Sequence, residues 1–334
     1  MEYRTLGKTG LNVSRLGLGG IPIQRVDALQ TKKLVHKLMA AGVNYIDTAR
    51  GYTVSEEYLG YALEGIQEHF VIATKSMSRD SQSMTRDIDL SLQKLRTDYI
   101  DLYQIHNPSP KDLEQVIAPG GAVEALLAAK ECGKIRHIGI TAHTLEVFRW
   151  ALERDWVETI MFPYNIVESQ GEELIARCAE KNIGFICMKP LAGGAIDDGT
   201  LALRYITQNP AVTVVIPGMA EEQELAENVA AVENTAPLTS QELSKIDAIR
   251  KTLGTEFCRR CNYCAPCTVG IPISAVLLFE GYLTRYGLGD WAKQRYQTLA
   301  VNPDACVDCG VCESRCPYQL PIRQMLKKAA NLLR

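Results

Sequence analysis

Eight of the eleven cysteines in this 334-residue chain lie beyond residue 257, in two close runs. The first is Cys258, Cys261, Cys264 and Cys267; the second is Cys306, Cys309, Cys312 and Cys316, followed by Pro317. The second run reads C-x2-C-x2-C-x3-C-P, the spacing by which one chain places three thiolates around one iron–sulfur cubane and sends the fourth to another. The first is one residue tighter before its last cysteine. Together they supply ligands for two [4Fe–4S] clusters. If the tail folds as a two-cluster ferredoxin, the fourth cysteine of each run crosses over. One cluster then takes Cys258, Cys261, Cys264 and Cys316, and the other takes Cys306, Cys309, Cys312 and Cys267. Four-cysteine zinc, which also uses C-x2-C pairs, is the rival reading. Cys132, Cys178 and Cys187 stand apart in apolar surroundings and read as small buried side chains.

A second set of reactive residue types lies upstream, each at or just after the end of a short apolar run. Asp47 ends NYIDT, Tyr52 follows in ARGY, Lys75 follows VIAT, and His106 follows DLYQI. Each alone has a plain structural reading: an Asp there can cap a helix, and a single His can be a hydrogen-bonded core residue. Four such groups at three successive run ends point instead to proton-transfer chemistry. A phenol with a pKa of about 10 is a poor acid at neutral pH, and a neighbouring ammonium lowers that value by stabilising the phenolate.

The elements that must position these groups follow from hydrophobic patterning. Apolar runs at 15–19, 44–48, 70–74, 99–105, 136–141, 159–164, 184–189 and 213–217 alternate with amphipathic stretches at 31–41, 84–95, 123–132, 145–153, 171–181, 201–208 and 222–232. Eight strand–helix repeats predict a closed parallel (β/α)8 barrel of the TIM type, in the α/β class, with its chemistry at the C-terminal ends of the strands. Residues 3–13 read as a hairpin plugging the barrel bottom. A further helix over 240–253 ends the barrel domain, 1–254, and 255–334 forms a small α-helical ferredoxin-like domain. Between the cysteine runs, Phe279, Tyr282, Tyr286, Trp291 and Tyr296 read as the packing of two short helices.

Composition narrows the function further. A net charge of −3 provides no basic footprint for nucleic acid. The first residues lack the apolar stretch of a secretion signal, and no run of 18 apolar residues suggests a membrane span. Clustered thiols suit a reducing compartment, so a cytoplasmic location is expected.

The motifs Y-R-x-L-G-x-T-G-L-x-V-S-x-L-G-L-G-G, I-D-T-A-x-x-Y, A-T-K and D-L-Y-x-I-H closely resemble the aldo-keto reductase superfamily, over residues 3 to about 232. With the cysteine tail, the chain resembles the branch of that family that carries a C-terminal ferredoxin-like domain. The resemblance implies a catalytic tetrad at Asp47, Tyr52, Lys75 and His106. It further implies a nicotinamide cofactor bound without a glycine-rich Rossmann loop.

The residues aligned with the family's cofactor site depart from its pattern. Thr141 and Ala142 replace a Ser-Asn pair that holds the carboxamide, Met161 replaces a Gln, and Met188 replaces the Tyr that stacks on the ring; Pro190 and Leu191 fit. Gly20 and Pro217 complete the expected site. Gly218 and Glu224 replace the Lys and Arg that receive the 2′-phosphate of NADP, while Glu227 and Asn228 match the adenine contacts. A carboxylate repels a phosphate dianion but accepts hydrogen bonds from a ribose diol, so NAD(H) is expected over NADP(H). A flavin is the alternative carrier, since it converts between hydride transfer and the single electrons of a cluster.

The enzyme reading is therefore a carbonyl reductase or alcohol dehydrogenase for a small molecule, coupled to or structurally completed by the clusters. The contrasting reading is an electron-transfer protein, in which a barrel with an altered nicotinamide site scaffolds a ferredoxin for a redox partner.

Overall fold

The computed structural model describes residues 1–254 and 256–334. By contact density the chain divides into two units. The first comprises residues 1–165, 169–190 and 198–238; the second comprises 166–168, 191–197 and 239–334.

The first unit opens with an antiparallel hairpin, β1 (Tyr3–Thr5) and β2 (Asn12–Ser14). Eight parallel strands follow: β3 (Gly17–Gly19), β4 (Tyr45–Asp47), β5 (Val71–Ser76), β6 (Ile100–Ile105), β7 (Ile135–Thr141), β8 (Thr159–Pro163), β9 (Gly184–Met188) and β10 (Val214–Ile216). Their spatial order is the chain order, and parallel bridges Leu16↔Val215 and Gly19↔Gly218 join β10 to β3. The sheet thus closes into the expected barrel. Its helices are α1 (Ala28–Ala40), α2 (Ser55–Leu63), α3 (Ser81–Leu95), α4 (Leu113–Ile117), α5 (Ala122–Glu131), α6 (Leu145–Leu152), α7 (Glu172–Glu180), α8 (Gly199–Thr207) and α9 (Glu222–Glu233).

Strands such as β6, buried at every position, have apolar groups on both faces because helices cover the outside and side chains fill the inside. The inner filling is Leu6, Val13, Tyr45, Ala73, Leu102, Met161, Ile186 and Val214. Leu6 comes from the hairpin. The hairpin turn seats against the start of β9: Gly7 has φ +54°, and a Cβ there would lie 2.2 Å from the Gly184 amide nitrogen. On the outside, α2 and α3 approach closely, since a Cβ on Gly60 would lie 2.1 Å from the Lys94 carbonyl oxygen. The amphipathic pattern starts α1 at residue 31, but the helix begins three residues earlier, where Asp27 and Gln30 form a capping box.

The second unit contains α10 (Ser240–Leu253), α11 (Ile273–Thr284), α12 (Gly289–Gln297), α13 (Val311–Ser314) and α14 (Ile322–Leu333). Its core is built from Ile271, Val276, Phe279, Tyr296, Leu326 and Leu333, among others, and Tyr282 packs on Trp291 with ring centroids 4.7 Å apart. Helix α10, read in the sequence as the last element of 1–254, shares its contacts with the second unit. Ile246 is its one wholly buried residue, and Arg250 donates from Nε to the Ile166 carbonyl at 3.0 Å, inside the second unit. Thr255, the first residue of the expected tail domain, lies outside the described residues. Cys178 and Cys187 are buried as expected, but Cys132 is exposed: it caps the C-terminus of α5 on the solvent side. Among the described residues, no helix is long and apolar enough to cross a membrane.

Candidate active site and cysteine pockets

One rim of the barrel collects the four sequence-predicted reactive groups. Asp47 is the last residue of β4, Lys75 is the penultimate residue of β5, His106 follows β6, and Tyr52 lies between β4 and α2. Lys75 donates from Nζ to Asp47 Oδ2 at 2.5 Å and to the Thr48 carbonyl at 2.7 Å. Both side chains are buried, at 2 % and 3 % exposure. Burial pushes the Asp47 carboxyl up and the Lys75 ammonium down, and their mutual attraction opposes both shifts. The Lys75 Nζ stands 4.9 Å from the centroid of the Tyr52 ring, and the His106 ring meets that ring edge-on at 6.1 Å. The four groups therefore form one cluster.

Gln104 is a member that motif matching misses. Its Nε2 donates to Asp47 Oδ1 at 3.3 Å, and the side chain is wholly buried. Strand alternation could have found it, because it sits two residues before His106 and so points to the same side of β6.

The segments bearing Tyr52 and His106 are pinned by main-chain and hydroxyl contacts. The Arg50 amide donates to the Lys75 carbonyl at 3.0 Å, and Thr48 Oγ1 donates to Ser55 Oγ, which donates to the Gly20 carbonyl. The His106 amide donates to the Ser76 carbonyl at 2.8 Å. The next residue, Asn107, donates its amide to Thr141 Oγ1 at 2.8 Å.

Through that last bond the hydroxyl oxygen of Thr141, a residue expected beside a carboxamide, also holds the His106 segment. Thr141, Ala142 and Met161 are all buried, and the Ala142 amide donates to the Met161 carbonyl. Met188 is half-buried at the end of β9, Pro190 is buried, and Leu191 belongs to the second unit. Asn165, wholly buried and also missed in the sequence, donates from Nδ2 to the Lys189 carbonyl and ties the β8 exit to the β9 exit. Where β3 meets β10, Gly19 donates its amide to the Pro217 carbonyl, the Gly20 amide donates to the Asp47 carbonyl, and Gly218 is exposed. Glu224 is committed to the start of α9: its Oε2 accepts from the Ala220 and Glu221 amides at 2.6 and 3.0 Å, and its Oε1 lies 3.7 Å from Arg25. Glu227 accepts from Gln223 on the same helix, and Asn228 is half-buried.

In the second unit the thiols gather around two hollows, and the spatial groups differ from the sequence runs. One hollow is lined by Cys258, Cys261, Cys264 and Cys316; the other by Cys267, Cys306, Cys309 and Cys312. Among the described residues no three Cys, His, Asp or Glu side chains converge as they would around a single ion. The thiols surround a space. Burial, then repulsion from Cys258 and Cys261, pushes the Cys264 thiol up to about 12, and burial raises Cys258 and Cys261 as well. The loop between Cys258 and Cys261 carries Arg259, which donates to the Val167 carbonyl and stacks on Tyr318, and Arg260, paired at 3.5 Å with the wholly buried Glu168.

Comparison with known proteins bears on the barrel and on the second cysteine run. The aldo/keto reductase family matches residues 15–200 and 196–251, and a 4Fe-4S binding domain matches residues 299–320. L-galactose dehydrogenase of Arabidopsis thaliana is 29 % identical over 75 % of this chain and 94 % of its own. The NADH-specific methylglyoxal reductase of Escherichia coli is 30 % identical over 62 % of this chain and 72 % of its own. Among solved structures, the aldo-keto reductase AKR11C1 from Bacillus halodurans in its holo form superposes with a TM-score of 0.65 at 27 % identity, covering 75 % of this chain and 96 % of its own. With a barrel of this topology and a family match over most of its length, the chain belongs to the aldo/keto reductase family and carries a 4Fe-4S binding domain near its C-terminus.

Proposed function

We propose that the barrel reduces a small-molecule carbonyl, or oxidises the corresponding alcohol, with Tyr52 as the proton donor. The observation that carries this reading is the buried Asp47–Lys75 pair set beside the Tyr52 ring with His106 at its edge. In reduction the carbonyl carbon gains a hydride and the oxygen gains the Tyr52 proton. The Lys75 ammonium offsets the phenolate left behind, Asp47 keeps that ammonium in place, and His106 holds the carbonyl oxygen. A nicotinamide would supply or accept the hydride. Residues that fit its adenosine end are Gly218, Glu227 and Asn228, and the Glu224 carboxylate at the start of α9 disfavours a 2′-phosphate, so NADH is preferred over NADPH. Two relatives are named for reducing methylglyoxal and dehydrogenating L-galactose, a carbonyl and an alcohol. Tyr52→Phe is expected to lower turnover about 10²–10⁴-fold with fold and visible absorbance unchanged. Near-normal carbonyl reduction by that variant would refute the assignment.

We further infer that each hollow holds one [4Fe–4S] cluster with the crossed cysteine sets lining it. The fit is chemical: each hollow brings four thiols around one space, neighbouring cysteines in the first oppose the ionisation of Cys264, and a cationic cluster core would relieve that repulsion. When bound, such clusters exchange single electrons. Ligands of this kind suit a reducing compartment such as the cytoplasm.

A second reading, electron transfer to a protein redox partner or through a flavin, is favoured by one observation. Where the family pattern has an Asn and a Gln to hold the carboxamide, this chain has Ala142 and Met161, both apolar and buried. An anaerobic absorption spectrum before and after NADH separates the readings: bleaching of the cluster absorbance supports nicotinamide coupling, and a flavin spectrum supports the other.

A further inference from the structure

Behind the tetrad lies a second buried charge pair that the mechanism above does not use. Glu56, in the first turn of α2, is 2 % exposed, and both its oxygens are engaged. Oε2 takes the Arg50 guanidinium, and Oε1 accepts from Thr74 Oγ1 at 2.7 Å and Ser91 Oγ at 2.8 Å. These partners frame the reactive groups: Arg50 lies two residues before Tyr52, and Thr74 directly precedes Lys75. The Arg50 amide also donates to the Lys75 carbonyl, so one carboxylate grips both the Tyr52 segment and β5.

We propose that Glu56, with Arg50, is a positioning pair for the tetrad: it locks the Tyr52 segment against β5 and sets a second buried carboxylate behind the Lys75 ammonium. The inference rests on the reading that Tyr52 and Lys75 perform the proton transfer. The other groups facing the pair are Asp87, whose Oδ1 lies 3.7 Å from Arg50 Nε, and Tyr103, whose hydroxyl lies 3.3 Å from Ser91 Oγ. Lys75 itself faces Asp47 and the Tyr52 ring. Burial disfavours the Lys75 ammonium, while Asp47 and then Glu56 favour it, so the two carboxylates act in the same direction. Arg50 carries the opposite sign, so by Coulomb's law its charge is expected to work against them. A strut with no electrostatic role has no such opposition.

The test is a pH titration of Lys75 in the full cluster-containing protein, followed by NMR of isotope-labelled lysine and assigned with Lys75→Met. Glu56→Gln removes the charge but keeps a side chain of the same shape; it is expected to lower the proton affinity of Lys75 at least about threefold. Arg50→Met is expected to raise it. Shifts of the same sign in both variants, or no shift in either, would overturn the proposal. If Glu56→Gln does not fold, Arg50→Met alone decides, because Glu56 there retains Thr74 and Ser91; absence of a rise overturns the proposal. The titration needs neither substrate nor cofactor. A protein that shows the opposed shifts yet reduces no carbonyl therefore refutes the functional reading and leaves the electrostatic one standing.

Discussion

The rim of the barrel and the cysteine hollows deal with charge in opposite ways. At the rim the chain neutralises itself: Lys75 is bound by Asp47 and the Thr48 carbonyl, Asp47 also by Gln104, and Glu56 by Arg50. Each buried charge has its partner within the protein. In the hollows the chain brings four thiols together, and in the first of them burial, with repulsion between neighbouring cysteines, pushes Cys258, Cys261 and Cys264 up. The first site is complete by folding alone, and the second is completed by what binds in it.

The sharpest way to break this contrast is to remove single cysteines. Cys316→Ala and Cys264→Ala are expected to abolish the same cluster, leaving about half of the iron and acid-labile sulfide, while Cys267→Ala and Cys309→Ala abolish the other. Electron paramagnetic resonance of the reduced protein identifies which signal survives. If Cys316→Ala instead behaves like Cys306→Ala, the sequence runs bind separately and the crossed grouping is wrong. In every case the barrel is expected to keep its circular dichroism, since its charges do not depend on iron.

The rim can be broken in a complementary way. Lys75→Met leaves the Asp47 carboxyl buried without its cation, a change that costs about 3–5 kcal/mol for comparable buried pairs. Urea denaturation should register that loss. Adding Asp47→Asn to the same chain should recover most of the stability and none of the activity, because the pair is then removed in balance. A Lys75→Met protein as stable as wild type would show that the rim is not self-neutralised as described.

The two regions were also unequally legible in the sequence. The barrel is readable because parallel strands covered on both faces must be apolar throughout, so runs such as IDLYQI stand out and their ends mark the rim where Asp47, Lys75 and His106 lie. Local signals end there. Glu56 lies between the runs at 44–48 and 70–74, where the patterning marks no helix, and nothing nearby in sequence announces Arg50, Thr74 and Ser91 as its partners. Thr141 aligns with a cofactor-holding position, and nothing nearby announces that its oxygen also accepts from the Asn107 amide, a contact 34 residues away. The second unit poses the harder problem. It takes in residues 166–168 and 191–197 and helix α10 through arginine-to-carbonyl bonds from Arg250, Arg259 and Arg285, which carry no periodicity. Cys132 shows the converse failure, since apolar neighbours suggested burial for a residue that is the exposed cap of α5.

The smallest expected effect sharpens the comparison at the opposite end of a barrel strand from the rim. Glu158 starts the segment leading into β8 and collects His137 Nδ1 at 2.8 Å, Lys130 at 2.7 Å and the Ile138 amide at 2.9 Å. Burial by itself would raise its carboxyl; these hydrogen bonds outweigh burial and take it from 4.5 down to about 2. A carboxyl depressed in the folded state stabilises fully above its unfolded value and loses that contribution as pH falls through the folded one. The window therefore runs from about pH 4.5 to about pH 2, and the contribution is at most about 3 kcal/mol, less what solvent screens through the half-exposed Lys130. Urea unfolding followed by Trp150 and Trp156 fluorescence in a Trp291→Phe background reads the barrel alone. The stability gap between the parent and Glu158→Gln should be full at pH 6 and roughly halved at pH 3. A gap that stays constant across that range would mean that Glu158 contributes by packing, and that the self-neutralising character of the barrel is confined to its rim.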